Sequence, residues 1–218
     1  MKIIELNKEQ LKLFLSNPNP FSKGCNGIIN LIEDKLYKIY YKDFIDFYLY
    51  EREEEIDNAV NNWLDIESIT NFGLRIPEIR LKEFERLDNT KSKGLITALL
   101  SYNGLFVGIE MKYYKNFLKI DEAIQYLDDS AIDYCLHKAL ELINDLLDNN
   151  IAPKDVKESN ILVNPKTLEV VLIDLDGVET TYGPDNYIND YPYNKRMIMT
   201  NFYKMVDRLK KEKVKKLS

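Results

Sequence analysis

Cysteine and histidine are scarce in this chain, and their scarcity excludes several kinds of site. The two cysteines, Cys25 and Cys135, are too few for a disulfide framework or a metal-ligand cluster. The single histidine, His137, lies within a helical pattern and has no serine or cysteine partner pattern, so a catalytic triad is unsupported. We interpret His137 as structural and Cys25 as a small turn residue, and we expect a reducing, cytoplasmic setting.

Long apolar runs and low-complexity segments are also absent. No stretch reaches the roughly 18 consecutive apolar residues that a membrane span requires. The first residues, MKIIELNKEQLKLFL, lack both the apolar core and the small-residue cleavage site of a secretory signal. We therefore expect no transmembrane segment.

Positive charge is in deficit. The formal net charge is −6 and the sequence pI is near 5.1. Affinity for phosphate backbones comes mostly from surplus lysine and arginine, so a general nucleic-acid partner is not expected. The segment 204–216, KMVDRLKKEKVKK, is a local exception. We interpret it as the solvated end of a helix rather than a site for anionic lipid or an acidic partner.

The residues that are present indicate a folded α+β protein. Of 218 residues, 45% are hydrophobic and 11% aromatic. In the first half, residues 28–41 read as a hairpin about Glu33-Asp34, and GLITALL and residues 105–111 as further strands. Residues 50–66 have a helical apolar stripe. The second half is mainly helical, with predicted helices over 132–147 and about 195–213 and one short hairpin, ILV and LEVVLI about NPKT.

One loop concentrates chemically useful side chains. The sequence IAPKDVKESNILV places Asp155, Lys157 and Asn160 between the helix 132–147 and the short hairpin. An aspartate can accept a proton from an attacking hydroxyl, a lysine can meet phosphate charge, and an asparagine can coordinate a metal. The hairpin then leads to LIDLDG, where Asp174 can supply a carboxylate oxygen of the kind that Mg²⁺ prefers. Taken singly, each of these residues is also common in loops that only cap and turn.

These motifs resemble those of the protein kinase superfamily, whose catalytic loop reads HRDLKxxN and whose metal motif is DFG. The chain has PKDVKESN and DLD. The resemblance implies that Asp155 is the catalytic aspartate, Lys157 contacts phosphate, and Asn160 and Asp174 bind the metal. Pro153 and Lys154 replace the loop histidine and arginine. Asp176 replaces the glycine of DFG, which leaves it as an alternative or additional metal ligand.

The same resemblance implies partners in the first half of the chain. FSKGCNGII presents Gly24 and Gly27 before the first hairpin strand, where backbone N–H groups can approach phosphate. Lys38, in LYKIY, takes the place of the strand lysine that pairs α- and β-phosphates. Glu53 is the expected carboxylate partner of Lys38 on the following helix. The competing carboxylates on that helix are Glu51, Glu54 and Glu55.

The resemblance implies a single kinase-like domain over 1–218, with a bilobal fold of a β-rich N-lobe, 1–111, and a reduced, mainly helical C-lobe, 112–218. It implies ATP and Mg²⁺ as cofactors and transfer to serine or threonine of a protein substrate. Lys157 favours proteins over small alcohols, but a small-molecule phosphotransferase and a pseudokinase binding module remain alternatives.

The segment after Asp174 is short for a kinase and lacks an APE motif. This truncation resembles the minimal effector kinases that bacterial pathogens deliver into host cells. A non-classical route of secretion into a host is therefore a second expected localisation. Because no activation segment is evident, we hypothesise that an activating protein partner orders the small C-lobe.

Overall fold

A computed structural model of the chain describes residues 2–24, 27–40, 86–149, 151–153, 155–175, 179–180 and 191–217. The described part is α+β, as predicted. The chain divides into two compact units, Met1–Phe84 with Gly94–Tyr113 and Glu85–Lys93 with Tyr114–Ser218. The second unit thus includes residues 85–93. The predicted division at 111/112 assigns those residues to the N-lobe. One reason is that the Lys91 N–H donates to Asp145 Oδ2, 2.6 Å away, on a helix of the second unit.

A mixed six-stranded sheet forms the first unit. Its strands are β1 (Lys2–Glu5), β2 (Ser22–Gly24), β3 (Gly27–Ile32), β4 (Lys35–Tyr40), β5 (Ile96–Tyr102) and β6 (Leu105–Lys112), in the order β1-β5-β6-β4-β3-β2. Only β1 is parallel to its neighbour, β5. The predicted hairpin about Glu33-Asp34 is confirmed as β3 and β4, and Glu33 takes a left-handed conformation with φ of 55°.

Helix α1 (Lys8–Leu15) covers part of this sheet and was not predicted. Asn7 and Gln10 form a capping box that satisfies free N–H groups at its start. Its buried residues join sheet residues in one apolar cluster, and the Phe14 ring stacks on Tyr37 with centroids 5.2 Å apart. The buried members of the cluster are Leu6, Leu11, Phe14, Leu15, Ile39, Leu100, Tyr102 and Val107. Burial of this apolar surface holds α1 against the face of the sheet that carries Tyr37 and Ile39 of β4.

The second unit combines helices with two small sheets. Its helices are α2 (Ile120–Ala123), α3 (Asp129–Asp148) and α4 (Tyr191–Leu217). Its strands are β7 (Leu118–Lys119), β8 (Ile151–Ala152), β9 (Ile161–Val163), β10 (Val170–Leu172) and β11 (Glu179–Thr180). They pair as β10-β9-β7 and β11-β8.

Helix α3 confirms the predicted helix over 132–147. It begins earlier, at Asp129, because the Asp128 carboxylate caps the Ala131 N–H at 2.8 Å. All of the predicted apolar stripe is buried except Leu140, which is half-buried. Burial raises the pKa of the Cys135 thiol, so this cysteine is held in its unreactive neutral form.

Helix α4 confirms the predicted C-terminal helix and extends it at both ends. Ile198, Phe202, Met205 and Leu209 form its buried stripe. Its basic residues pair with carboxylates of α3: Lys195 with Asp148 at 3.9 Å, Lys210 with Asp133 at 2.8 Å and Lys213 with Asp129 at 2.6 Å. Lys204, Arg208, Lys210 and Lys211 are exposed, in agreement with the expected solvated helix end, and the three ion pairs lay α4 antiparallel along α3. None of the helices in the described part of the chain combines the length and hydropathy of a membrane span.

Candidate functional site

The loop 155–160 brings together the three side chains that its sequence singles out. Lys157 Nζ forms an ion pair with Asp155 Oδ2. Asn160 Nδ2 donates to the backbone oxygen of Asp155 at 2.9 Å and to its Oδ2 at 3.3 Å. Residues Glu158–Asn160 form a 3₁₀ turn, which keeps Asn160 close to Asp155. Within it, the Asn160 N–H donates to the Lys157 carbonyl at 3.0 Å.

The three residues differ in their exposure to solvent. Asn160 is buried, whereas the side chains of Asp155 and Lys157 are 50% and 47% exposed. Oδ1 of Asp155 accepts no hydrogen bond from the residues that the structure describes. The buried asparagine therefore holds the loop, while the carboxylate of Asp155 is half exposed to solvent.

The hairpin of β9 and β10 returns the chain to this loop. Asn164 shapes its turn by accepting the Lys166 N–H at 3.0 Å. At the exit, the Ile173 N–H donates to the Asn160 carbonyl at 2.9 Å. Because Ile173 precedes Asp174, this bond ties the two predicted metal ligands to the same end of one hairpin.

Asp174 has an unusual backbone conformation. Its φ of 60° lies in the left-handed region that non-glycine residues seldom occupy. The next residue, Leu175, is buried, while Asp174 itself is exposed. Backbone strain of this kind clusters at functional sites. The alternative ligand, Asp176, lies outside the described residues.

The donor set at this position suits a hard cation. Asn160 directs its Nδ2 toward Asp155, which leaves Oδ1 as its oxygen donor; that atom accepts the Ser159 hydroxyl at 3.3 Å. One carboxamide oxygen and one carboxylate fit Mg²⁺, which takes few protein oxygens and keeps waters. No group of three or more His, Cys, Asp or Glu side chains that could hold a metal is found among the residues described here.

Lys38 lies in the first unit, at the centre of the sheet on β4. It pairs with Ile29 of β3 and Ile109 of β6, and only 8% of the residue is exposed. Its Nζ lies 5.3 Å from the centroid of the Tyr40 ring, within the range of a cation–π contact. Its predicted partner Glu53, like Glu51, Glu54 and Glu55, lies outside the described residues.

The predicted glycine turn is a tight hairpin. Gly24 of β2 pairs with Gly27 of β3 across residues 25 and 26, which lie outside the description. A Cβ at Gly27 would collide with the Ile39 carbonyl oxygen, and a Cβ at Gly108 would collide with the Lys38 carbonyl oxygen. These two glycines thus let both neighbouring strands approach β4 closely, β3 at Ile39 and β6 at Lys38. The close packing of the strands explains why residue 27 is a glycine. The contact of the Gly27 backbone with phosphate stays a prediction.

No protein-family model matches the chain, and no curated protein sequence matches it either. The kinase resemblance therefore depends on the motifs and contacts above.

A buried carboxylate, Glu110 on β6, was missed by the sequence analysis. Glu110 Oε1 accepts hydrogen bonds from Lys35 Nζ at 2.7 Å and Thr97 Oγ1 at 2.6 Å. Burial alone would raise the pKa of Glu110, but hydrogen bonds from Lys35, Thr97 and Tyr37 outweigh it and lower that pKa. Burial and the bond to Glu110 raise the pKa of Tyr37 to about 12. The sequence signal for this buried carboxylate was a single Glu within the otherwise apolar run LFVGIEM.

A second missed contact joins the loop to α4. Arg208 Nη2 lies 2.5 Å from Oε1 of Glu158, the residue that opens the 3₁₀ turn. Sequence spacing offers no signal for this pair, because the two residues are far apart in the chain.

Proposed function

We propose that this chain transfers the γ-phosphoryl group of ATP to serine or threonine hydroxyls of proteins, within a two-lobed kinase-like fold of 1–111 and 112–218. The observation that carries the proposal is the loop and hairpin 155–174. There hydrogen bonds join the half-exposed carboxylate of Asp155 to Lys157 and Asn160, and the bond from the Ile173 N–H to the Asn160 carbonyl holds the residue before Asp174 at the same end of the hairpin.

Asp155 is the proposed proton acceptor. The substrate hydroxyl oxygen attacks the γ-phosphorus, the bond to the β–γ bridging oxygen breaks, and ADP leaves. The hydroxyl proton passes to a carboxylate oxygen of Asp155. Oδ2 already accepts from Lys157 and Asn160, so Oδ1 is the oxygen suited to orient the hydroxyl.

Lys157, Asn160 and Asp174 are the proposed charge partners of the phosphates. Lys157 would meet negative charge on the transferring group. Asn160 Oδ1 and the Asp174 carboxylate would hold Mg²⁺, which, when bound, neutralises phosphate charge. The fixed carboxamide of Asn160 and the uncommon left-handed backbone of Asp174 support this assignment, because the first holds a donor in place and the second is a feature that clusters at functional sites.

Lys38 is proposed to pair the α- and β-phosphates, with Glu53 as its partner and the backbone of Gly24 and Gly27 near phosphate. A buried ammonium group is costly unless it meets opposite charge. The burial of Lys38 supports a role in binding phosphate, because a lysine that only kept the protein soluble would be exposed.

A protein substrate is proposed because Lys157 is present two residues after Asp155. Lysine at this place is typical of protein kinases in the family that the motifs resemble, whereas small-molecule kinases usually lack it. An activating protein partner that orders the C-lobe is proposed as well.

The test is an assay with γ-labelled ATP and Mg²⁺, using a host or bacterial lysate as the source of substrates. We expect label on proteins, including the chain itself, and none above background with Asp155→Ala. Label on small molecules alone would support the small-molecule phosphotransferase. Equal labelling by wild type and Asp155→Ala would contradict phosphoryl transfer and leave a binding role.

A further inference from the structure

We infer that Arg208, on the C-terminal helix α4, is a positioning residue for the loop 155–160, acting through its ion pair with Glu158. The inference rests on the proposed function and deepens it by naming what holds the loop. The two atoms of the pair, Arg208 Nη2 and Glu158 Oε1, are 2.5 Å apart.

Glu158 lies in the loop between Lys157 and Asn160. It directly follows Lys157 and opens the 3₁₀ turn that ends at Asn160. Asn160 in turn holds the backbone and the carboxylate of Asp155. A shift of Glu158 therefore moves the proton acceptor, the phosphate lysine and a metal ligand together.

Helix α4 is well anchored on both sides of Arg208. Met205 and Leu209 are buried one turn before and one residue after it. Further along, Lys210 pairs with Asp133, while Lys213 pairs with Asp129 and donates to the Leu127 carbonyl at 2.9 Å. The helix also contacts β8, the strand that leads into the loop. Arg208 thus reaches Glu158 from a fixed backbone.

Charge gives the pair a second effect. The Glu158 side chain is 21% exposed and sits beside the lysine that would meet phosphate. An unpaired carboxylate there would repel a triphosphate, and the Arg208 guanidinium neutralises it. Arginine suits this task because it stays charged and presents several donors to one carboxylate.

The kinetic test compares Arg208→Ala with Lys210→Ala in the full chain. Lys210 is a matched control, since it is two residues away on the same helix and pairs with Asp133 instead of the loop. Because a displacement of about 1 Å can cost up to about 100-fold in rate, we expect Arg208→Ala to lower kcat about 10-fold or more. We expect Lys210→Ala to stay within about twofold of wild type, because its partner Asp133 lies on α3 and has no contact with the loop in this pair.

Four further readouts separate positioning from general loss of structure. The melting temperature should stay near wild type in Arg208→Ala, and the dissociation constant for ATP should rise less than kcat falls, because the unpaired Glu158 repels the triphosphate while the displaced loop slows the transfer itself. Arg208→Lys should recover part of kcat, and the exchanged pair Arg208→Glu with Glu158→Arg should recover more than either single change. A kcat equal to wild type in Arg208→Ala, or an equal loss in Lys210→Ala, would overturn the inference.

Hydrogen exchange tests the pair even if the proposed function is wrong. Peptides covering 155–163 should exchange faster in Arg208→Ala than in wild type and Lys210→Ala. If wild type transfers no phosphate but this difference is present, the proposed function fails and the positioning contact stands. Unchanged exchange in Arg208→Ala would overturn the contact whatever the activity.

Discussion

The sheet of the first unit and the loop of the second unit hold charged side chains in opposite ways. Glu110 and Lys38 are buried in the sheet, with 2% and 8% of each residue exposed. Asp155 and Lys157 are half exposed in the loop. A buried charge must be offset by partners, so it becomes part of the stability of the fold. A half-exposed charge keeps its water and stays available to a reactant.

This comparison predicts that changes in the loop alter phosphoryl transfer and changes in the sheet alter stability. Lys38 is the informative exception, because it lies in the sheet and is proposed to act on ATP.

Asp174→Asn should lower the rate of transfer about 100-fold to 1,000-fold, because a metal-binding carboxylate contributes several kcal/mol to such reactions. Asparagine tolerates the left-handed backbone of Asp174. We therefore expect an unchanged melting temperature. Asp176→Asn tests the competing assignment, and the initial rate at saturating Mg²⁺ is the measurement for both variants. A large loss in Asp176→Asn with none in Asp174→Asn would transfer the metal role to Asp176.

Lys38→Met and Lys35→Met compare two lysines of strand β4, one proposed to bind ATP and one that forms an ion pair within the sheet. Lys38 shares its side of the sheet with Ile109, whereas Lys35 pairs with Glu110. We expect Lys38→Met to lower kcat/KM for ATP about 10-fold to 100-fold, as loss of a positioned cation does. Lys35→Met should leave kcat/KM for ATP unchanged. The same kcat/KM in both variants would remove Lys38 from the proposed site.

Glu110→Gln should lower the free energy of unfolding by about 1–3 kcal/mol, because it breaks hydrogen bonds to a buried charged group. Lys35 is half exposed and can be hydrated again, which favours the lower end of that range. Urea unfolding measures the change. Glu141→Gln, at an exposed ion pair on α3, is the control and should change stability by less than about 1 kcal/mol.

The smallest effect is a pH dependence of stability that belongs to the sheet. Since the folded-state pKa of Glu110 is lowered, its contribution is present above its unfolded pKa near 4.5 and is lost as pH falls through the lower folded value. Tyr37 has the opposite sign, since its pKa is raised from 10.0 to about 12. Its contribution is present below pH 10 and is lost as pH rises toward 12. Unfolding curves of wild type and Glu110→Gln should converge at acid pH, and a constant difference would contradict this assignment.

Local patterns predicted the second unit better than the first. The stripe of α3, the turn between β9 and β10, and the loop with Asp155, Lys157 and Asn160 all depend on contacts between residues close in sequence. Periodicity and turn residues read such contacts directly. The tie from Ile173 to Asn160 follows from the hairpin, so the position of Asp174 was predictable as well.

Contacts between distant segments were not predictable. Strand β1 joins β5 across about a hundred residues, and no local pattern sets that pairing. Likewise, Glu110 needs Lys35 and Thr97, and Glu158 needs Arg208, from remote parts of the chain. Gly108 was overlooked because its reason is the approach of β6 to β4 rather than a turn.

The most direct test of the account is the initial rate of γ-phosphoryl transfer to protein serine or threonine by wild type and Asp155→Asn, each shown to have the same melting temperature. Loss of the proton acceptor should lower the rate about 100-fold or more. The fold should persist, because the ion pair of Asp155 with Lys157 is half exposed. Equal rates in two equally stable proteins would contradict the assignment of the loop 155–160 as the catalytic centre.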